Sequence, residues 1–144
     1  MKKTETLTWD GYSVINIMSY NINDVKTKIR ETDSKVALFG ASNLARYALS
    51  ALDNIGITVD IVCDSSTSKV GDLFCGYTIS HVNDIKKNNN LFVFICSIFP
   101  GPMLSQLRAI NVENAYSCIP LFEETDYLKI KINQAGLKQD KEHQ

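Results

Sequence analysis

Short apolar runs alternate with amphipathic segments between residues 34 and 120, and this alternation constrains the fold more than any other feature of the sequence. The runs are residues 35–39 (KVALF), 57–63 (ITVDIVC), 76–80 (GYTIS), 91–98 (LFVFICSI) and 115–119 (AYSCI). The run at residues 91–98 leaves no polar face and the run at residues 35–39 is nearly unbroken, which is typical of strands buried on both sides in a parallel sheet covered by helices. The pattern therefore predicts an α/β fold.

The segments between the runs have helical features. From Leu44 to Ile55, apolar residues recur every three or four positions, and Gly56 then favours a helix end. Pro102 suits the first position of a later helix, which Asn111 can end. With right-handed crossovers, these elements predict a Rossmann-like three-layer domain: a parallel sheet of about five strands, in the order 3-2-1-4-5, with helices on both faces.

The length and composition suit one domain, because 144 residues that are 44% apolar can bury a sizeable core. We expect an N-terminal extension with an amphipathic helix at residues 1–33, a Rossmann-like nucleotide-binding domain at residues 34–122, and a C-terminal segment and tail at residues 123–144. Residues 127–133 alternate apolar side chains with lysine, which fits either an edge strand or a helix.

Charge and cysteine usage suggest which partners to expect. The formal net charge is −1 and the lysines and arginines are scattered, so we expect no nucleic-acid partner. No apolar run approaches the roughly 20 residues of a membrane span, and the start lacks a secretory pattern, which predicts a cytoplasmic protein. The four cysteines form no C-x-x-C pair, so we expect reduced thiols and no metal site.

The turn after the first apolar run has most of a dinucleotide fingerprint, G-x-G-x-x-G/A. Gly40 permits the tight turn and Ala45 is small enough for close packing, but Ser42 replaces the glycine that lets a diphosphate approach. Ser42 therefore hinders NAD in its usual pose, although its hydroxyl can donate to a phosphate. The amides of Asn43 and Leu44 would favour an anion at the helix start. The alternative is a plain strand-to-helix turn.

Three polar residues lie where the other walls of such a crevice would be. Asp64 follows the second run, 24 positions after Gly40, where a carboxylate accepts bonds from a ribose diol; it could equally cap the turn that follows. Lys69 could neutralise a phosphate or be solvated. Ser97, before the turn at residues 100–102, would form the second wall or part of a rigid turn. The predicted binding residues are Gly40, Ala41, Ser42, Asn43, Leu44, Asp64, Ser65, Lys69 and Ser97.

No catalytic constellation is evident, so the catalytic residues stay unknown and enzymatic activity is left open. His81 follows the third run, but no carboxylate or nucleophile stands at a spacing that marks a general base.

Residues 36–85 resemble the small Rossmann-like nucleotide-binding domain of polysaccharide biosynthesis proteins. That module occurs at the start of sugar-nucleotide acetyltransferases, in nucleotide-sugar dehydratase and epimerase relatives, and joined to FkbM-type methyltransferases. The shared pattern is matched at residues 40–42, Gly56 and Ile57, Asp64, Lys69 and Gly71, residues 76–79, and residues 92–97.

The resemblance implies a stand-alone domain that binds a nucleotide or nucleotide-sugar in surface polysaccharide or glycan biosynthesis, as an accessory domain of a sugar-nucleotide-modifying enzyme. Its cofactor would be a UDP-sugar or NAD(P), and its protein partner a second copy or an enzyme. Two alternatives stay open: a non-enzymatic interaction or regulatory subunit with a vestigial crevice, and an NAD(P)-dependent oxidoreductase acting on a nucleotide-sugar.

Overall fold

The computed structural model describes residues 13–87 and 90–122. Its strands are β1 (Lys35–Phe39), β2 (Ile61–Asp64), β3 (Leu73–Phe74), β4 (Tyr77–Thr78), β5 (Ser80–His81), β6 (Leu91–Ile95) and β7 (Asn114–Ser117). Five of them form one parallel sheet in the order β5-β2-β1-β6-β7. Counted along the chain, this order is 3-2-1-4-5, so the predicted α/β class and topology are confirmed.

Four α-helices and two 3-10 helices accompany the strands in the described part of the chain. The α-helices are α1 (Ser13–Met18), α2 (Ile22–Glu31), α3 (Asn43–Asn54) and α4 (Gly101–Ala109). The 3-10 helices cover Val82–Lys87 and Ile119–Leu121. No helix within the described ranges combines the length and apolar character that crossing a membrane requires.

The central strand β1 is buried from Val36 onward because helices cover both faces of the sheet. Val36 and Leu38 pack with α2 and α3 in one apolar cluster, which includes Leu52. Ala37 and Phe39 belong to a second cluster on the opposite face. Successive strand residues point to opposite faces, so this strand needs apolar side chains at every internal position.

Helices α1 and α4 and the first 3-10 helix cover the second face. They contribute Ile17, Leu104, Leu107 and Ile85 to the cluster around Phe39. Helix α2, which lies in the predicted N-terminal extension, packs on the first face through the buried side chain of Val25. The two clusters enclose the sheet as the middle layer of three.

The predicted third strand, at residues 76–80, has wrong bounds. Tyr77–Thr78 pairs antiparallel with Leu73–Phe74 in a separate hairpin, and only Ser80–His81 joins the sheet beside β2. The hairpin turn requires positive φ at Cys75 and Gly76, 51° and 87°, which directs β4 back along β3. The second strand is also shorter than predicted, starting at Ile61. Residues 127–133, for which strand and helix were both open, lie outside the described residues.

Candidate functional site at the carboxyl edge of the sheet

The turn after β1 lies between the ends of β2 and β6, the two strands that pair with β1. Gly40 has φ +110°, and its amide donates to the Cys63 carbonyl at 2.8 Å. A Cβ atom built on Gly40 would lie 3.0 Å from the Cys96 carbonyl oxygen and 3.1 Å from Met103 Cε. Both the backbone conformation and the available space therefore require glycine here.

The first turn of α3 follows at once and has no side-chain cap. Ser42 occupies the cap position in an extended conformation, but its hydroxyl donates to the Cys96 carbonyl at 3.3 Å instead of capping the helix. Among the described residues, the amides of Asn43 and Leu44 find no acceptor. Unpaired amides at a helix start carry partial positive charge and are suited to an anion.

Asp64, at the end of β2, ties the turn to the loop that follows β2. One carboxylate oxygen, Oδ2, accepts from the Ala41 amide at 2.9 Å, and the other, Oδ1, accepts from the Ser66 amide at 2.8 Å. Asp64 is buried, with 13% of its side chain exposed. The carboxylate therefore has structural partners on both oxygens.

Lys69 reaches the same turn from the loop of residues 65–72. Its ammonium donates to the Ala41 carbonyl at 3.2 Å and lies 3.9 Å from Asp64 Oδ2. Its side chain is 48% exposed. Both backbone polar groups of Ala41 are thus held by side chains, while the cation keeps contact with solvent.

The opposite wall is formed by the loop after β6. Ser97 is half-buried, and its hydroxyl accepts from the Phe99 amide at 2.9 Å, which fixes the loop before Pro100 begins the turn into α4. Ile98 and Phe99 are 52% and 74% exposed. This wall consequently presents apolar surface beside a polar turn.

The structure brings most of the predicted binding residues to one place. Ala41, Asp64 and Lys69 are joined by hydrogen bonds, and Ser42 is tied to Cys96, the neighbour of Ser97. Ser65 is exposed in the loop beside Asp64. The assignment of all these residues to a ligand stays a prediction.

Sequence reasoning missed Arg46, an exposed cation in the first turns of α3. Its guanidinium carbon lies 4.8 Å from the centroid of the Phe74 ring, and Nη1 lies 3.4 Å from Cys75 Sγ. Its position in the sequence, directly after Ala45 at the end of the fingerprint, could have pointed to it. Arg46 is the one positively charged residue of α3, the helix that starts at the turn.

His81 has a structural partner. Its Nδ1 accepts from the Asn83 amide at 3.1 Å, and its strand position is in register with Asp64. Over the described ranges, no three His, Cys, Asp or Glu side chains are grouped as a metal site requires.

The four cysteines differ in burial. Cys63, Cys96 and Cys118 are buried free thiols and Cys75 is exposed. Two causes raise the pKa of Cys63 to about 12: burial, which is the larger, and the negative charge of Asp64. Burial beside Cys118 also raises the pKa of Cys96.

No protein-family model and no curated protein matches this sequence. Solved structures with a similar fold include RSP, a Rex-family repressor, at 14% identity, covering 83% of this chain and 69% of that chain with a TM-score of 0.46. The complex of RSP with β-NADH matches at 14% identity, covering 86% and 72%, and the complex with β-NAD+ and operator DNA at 12%, covering 86% and 69%. The TM-score is 0.46 for both. These similarities concern the Rossmann-like fold.

The expectation that nucleic acid is not a partner is contradicted by the last of these structures, in which RSP is bound to operator DNA. A near-zero net charge describes the whole chain and does not exclude nucleic acid, so we withdraw that exclusion. The comparisons give no support to the resemblance to polysaccharide biosynthesis proteins beyond the Rossmann-like fold.

Proposed function

We propose that this chain binds a nucleotide or nucleotide-sugar in the crevice between the Gly40 turn and Ser97. The observation that carries the proposal is the uncapped start of α3, where the amides of Asn43 and Leu44 lack an acceptor within the described chain. A half-exposed ammonium, that of Lys69, is held at the same turn. Helix-start amides with a nearby cation are a recurring arrangement for phosphate.

In this proposal the phosphates lie against Ser42, Asn43 and Leu44. Gly40 and Ala41 shape the turn, the sugar lies beside Asp64, Ser65 and Lys69, and the remainder of the ligand contacts the Ser97 wall. The Ser42 side chain occupies the position of closest approach in the fingerprint, so it keeps a diphosphate farther out than in the usual NAD pose. A UDP-sugar and NAD(P) both suit these groups.

The biological setting in the proposal comes from the resemblance to polysaccharide biosynthesis domains. The chain would serve in surface polysaccharide or glycan biosynthesis, in the cytoplasm, as a binding domain that supports a sugar-nucleotide-modifying enzyme. This setting is separable from the binding activity and needs its own test, such as copurification with a glycosyltransferase or sugar-nucleotide enzyme.

A pair of substitutions at Asn43 tests the binding proposal. Asn43→Pro removes one amide donor at the first helical position, where proline is well tolerated, and Ser42 already has the extended backbone that precedes proline. Asn43→Ala removes the same side chain but keeps the amide. By calorimetry with UDP, a UDP-sugar, NAD+ and pyrophosphate, we expect Asn43→Pro to bind about tenfold more weakly than Asn43→Ala, as loss of one charge-assisted bond implies.

Two results would contradict the proposal. The first is no heat from any of these ligands, or from NADP+, at millimolar concentration with the wild-type chain. The second is equal affinity of the two Asn43 variants, with thermal melting showing that both are folded.

A second candidate function is that of a non-enzymatic interaction subunit, favoured by the exposure of Ile98 and Phe99 beside the crevice. Its partner would be a second copy of the chain. Sedimentation equilibrium should then give a dimer for the wild type and a monomer for Phe99→Ser, whereas a wild-type monomer at high concentration would exclude this candidate. Among the described residues, we find no corresponding observation that favours an NAD(P)-dependent oxidoreductase.

A further inference from the structure

A cavity lies at the amino edge of the sheet, where β1 and β2 begin, whereas the Gly40 turn lies at the opposite edge. It has a volume of about 250 Å³ and lies between α2, the start of β1 and the loop that joins α3 to β2. A water molecule takes about 30 Å³ in the liquid, so the cavity has room for one small organic molecule. Its apolar lining is formed by Ile29, Val36 and Ile57, of which the last two are buried.

Two cations from α2, Lys26 and Arg30, line this cavity. Their spacing of one helical turn places them on the same face of the helix. Lys26 is half-buried and its ammonium reaches the loop after α3, where a Cβ atom built on Gly56 would lie 3.3 Å from Nζ. In the described part of the chain neither cation has a carboxylate partner, and the ion pair found there joins Lys69 to Asp64. Both charges are therefore available to an anionic group of a ligand.

Two carboxylates, those of Asp33 and Asp60, line the same cavity. Asp60 Oδ2 accepts from the Val36 amide at 2.9 Å, which holds this side chain at the start of β1. Within residues 13–87 and 90–122, no hydrogen-bond donor reaches Asp60 Oδ1 or the Asp33 carboxylate. The two positive and two negative charges around the cavity sum to zero. A ligand with one charge would meet two side chains of its own sign, whereas a zwitterion complements both pairs.

We propose that this cavity binds a free α-amino acid with an apolar side chain. The carboxylate of the amino acid accepts from Lys26 and Arg30, and a guanidinium suits it because it can donate two parallel N–H groups. The ammonium donates to Asp33 and to Asp60 Oδ1. The apolar side chain packs against Ile57 and the rest of the apolar lining. This site does not depend on the proposed nucleotide site, because the two lie at opposite edges of the sheet.

Ligands that share one apolar side chain but differ in charge test the proposal. Leucinamide lacks the carboxylate of leucine, and 4-methylpentanoate lacks its ammonium. At a pH of about 6.5, where the amine of leucinamide is protonated, we expect calorimetry to show leucine binding about tenfold more tightly than either analogue. Glycine should bind about tenfold more weakly than leucine, because it leaves the apolar lining uncovered. Valine, methionine and phenylalanine extend the series to other apolar side chains.

Three variants assign the binding to this cavity. Lys26→Met keeps the apolar stem and should lower the affinity for leucine about tenfold, without lowering that for leucinamide. Asp33→Asn keeps the shape of a residue at φ +49°, which asparagine tolerates, and should lower the affinity for leucine about tenfold but not that for 4-methylpentanoate. Lys28→Met removes an exposed lysine of α2 that does not line the cavity, and should change none of these affinities. Thermal melting shows whether each variant is folded.

Each contrary outcome has a distinct meaning. No heat from leucine, valine, methionine or phenylalanine at millimolar concentration overturns this inference and leaves the nucleotide proposal intact. Equal affinity for leucine and either singly charged analogue overturns recognition of a zwitterion. A leucine affinity that survives both Lys26→Met and Asp33→Asn shows that the amino acid binds elsewhere, which overturns the assignment to this cavity.

Discussion

The Asp64 carboxylate accepts a hydrogen bond from the Ala41 amide at 2.9 Å, across two adjacent parallel strands. The register that pairs Phe39 with Cys63 brings the residues that follow them, Gly40 and Asp64, to the same level at the carboxyl edge. The turn is therefore positioned by a side chain from the second strand as well as by its own glycine. This contact links the stability of the fold to the shape of the candidate site.

Replacing Asp64 should destabilise the fold as well as alter the site. Asp64→Ala leaves the buried Ala41 amide and the Ser66 amide without their acceptor, so we expect a loss of about 1–3 kcal/mol in the free energy of unfolding. Asp64→Asn keeps one acceptor oxygen and should lose less. Urea denaturation measures both, with Glu113→Gln as an exposed control. A stability loss for Asp64→Ala no larger than that of the control would show that these bonds do not contribute.

Two glycines with similar backbone angles allow steric contact to be separated from backbone strain. Gly40 and Gly71 have φ values of +110° and +92°, but a Cβ built on Gly71 meets nothing within 4 Å. Gly71→Ala should therefore cost only the strain of a positive φ, about 1–3 kcal/mol. Gly40→Ala adds the approach to the Cys96 carbonyl oxygen at 3.0 Å and should be clearly less stable than Gly71→Ala. Equal thermal stability of the two variants would contradict the close packing at Gly40.

The central strands were predictable from the sequence, whereas the sheet edge and the loop contacts were not. Strands β1 and β6 are buried on both faces, so apolar side chains at successive positions mark them directly. The segment at residues 76–80 (GYTIS) is more polar, and two of its residues pair locally with Leu73–Phe74. In so short a segment, alternation cannot distinguish a hairpin partner from a sheet partner.

The candidate site was also predictable only in part. The fingerprint identifies Gly40 and Ala45, because the tight turn after β1 and the close packing of α3 on the sheet restrict which residues fit at these positions. The bonds of Asp64 with Ala41 and of Lys69 with the same residue depend on strand register and on how the loop of residues 65–72 folds back. Neither is encoded in a local pattern.

The buried face of α3 should carry a large share of the stability. Leu52 is fully buried against the sheet, so Leu52→Ala removes apolar contacts and leaves a cavity. We expect a loss of about 2–5 kcal/mol in the free energy of unfolding. Leu73→Ala makes the same change on a side chain that is 76% exposed and should cost less than about 1 kcal/mol. Comparable losses from both, measured by urea denaturation, would be inconsistent with the packing of α3.

Cys63 should make the fold sensitive to alkaline pH. Burial, with the charge of Asp64, raises the pKa of this thiol from 9.0 to about 12. Above a pH of about 9 the unfolded chain loses this proton while the folded chain keeps it, so the free energy of unfolding falls as pH rises. The contribution of this thiol to the free energy of unfolding is complete below a pH of about 9 and is lost by a pH of about 12. The loss is at most about 1.4 kcal/mol per pH unit.

Urea denaturation at several pH values from about 8 to 10.5 should therefore give a shallower decline for Cys63→Ala than for the wild type. The variant starts from a lower stability because the buried sulfur is lost, so the slope is the quantity to compare. Cys75→Ala makes the same substitution at the exposed cysteine and serves as the control. If Cys63→Ala declines as steeply as the wild type, the alkaline sensitivity arises at other groups, among them Tyr20, whose pKa burial also raises.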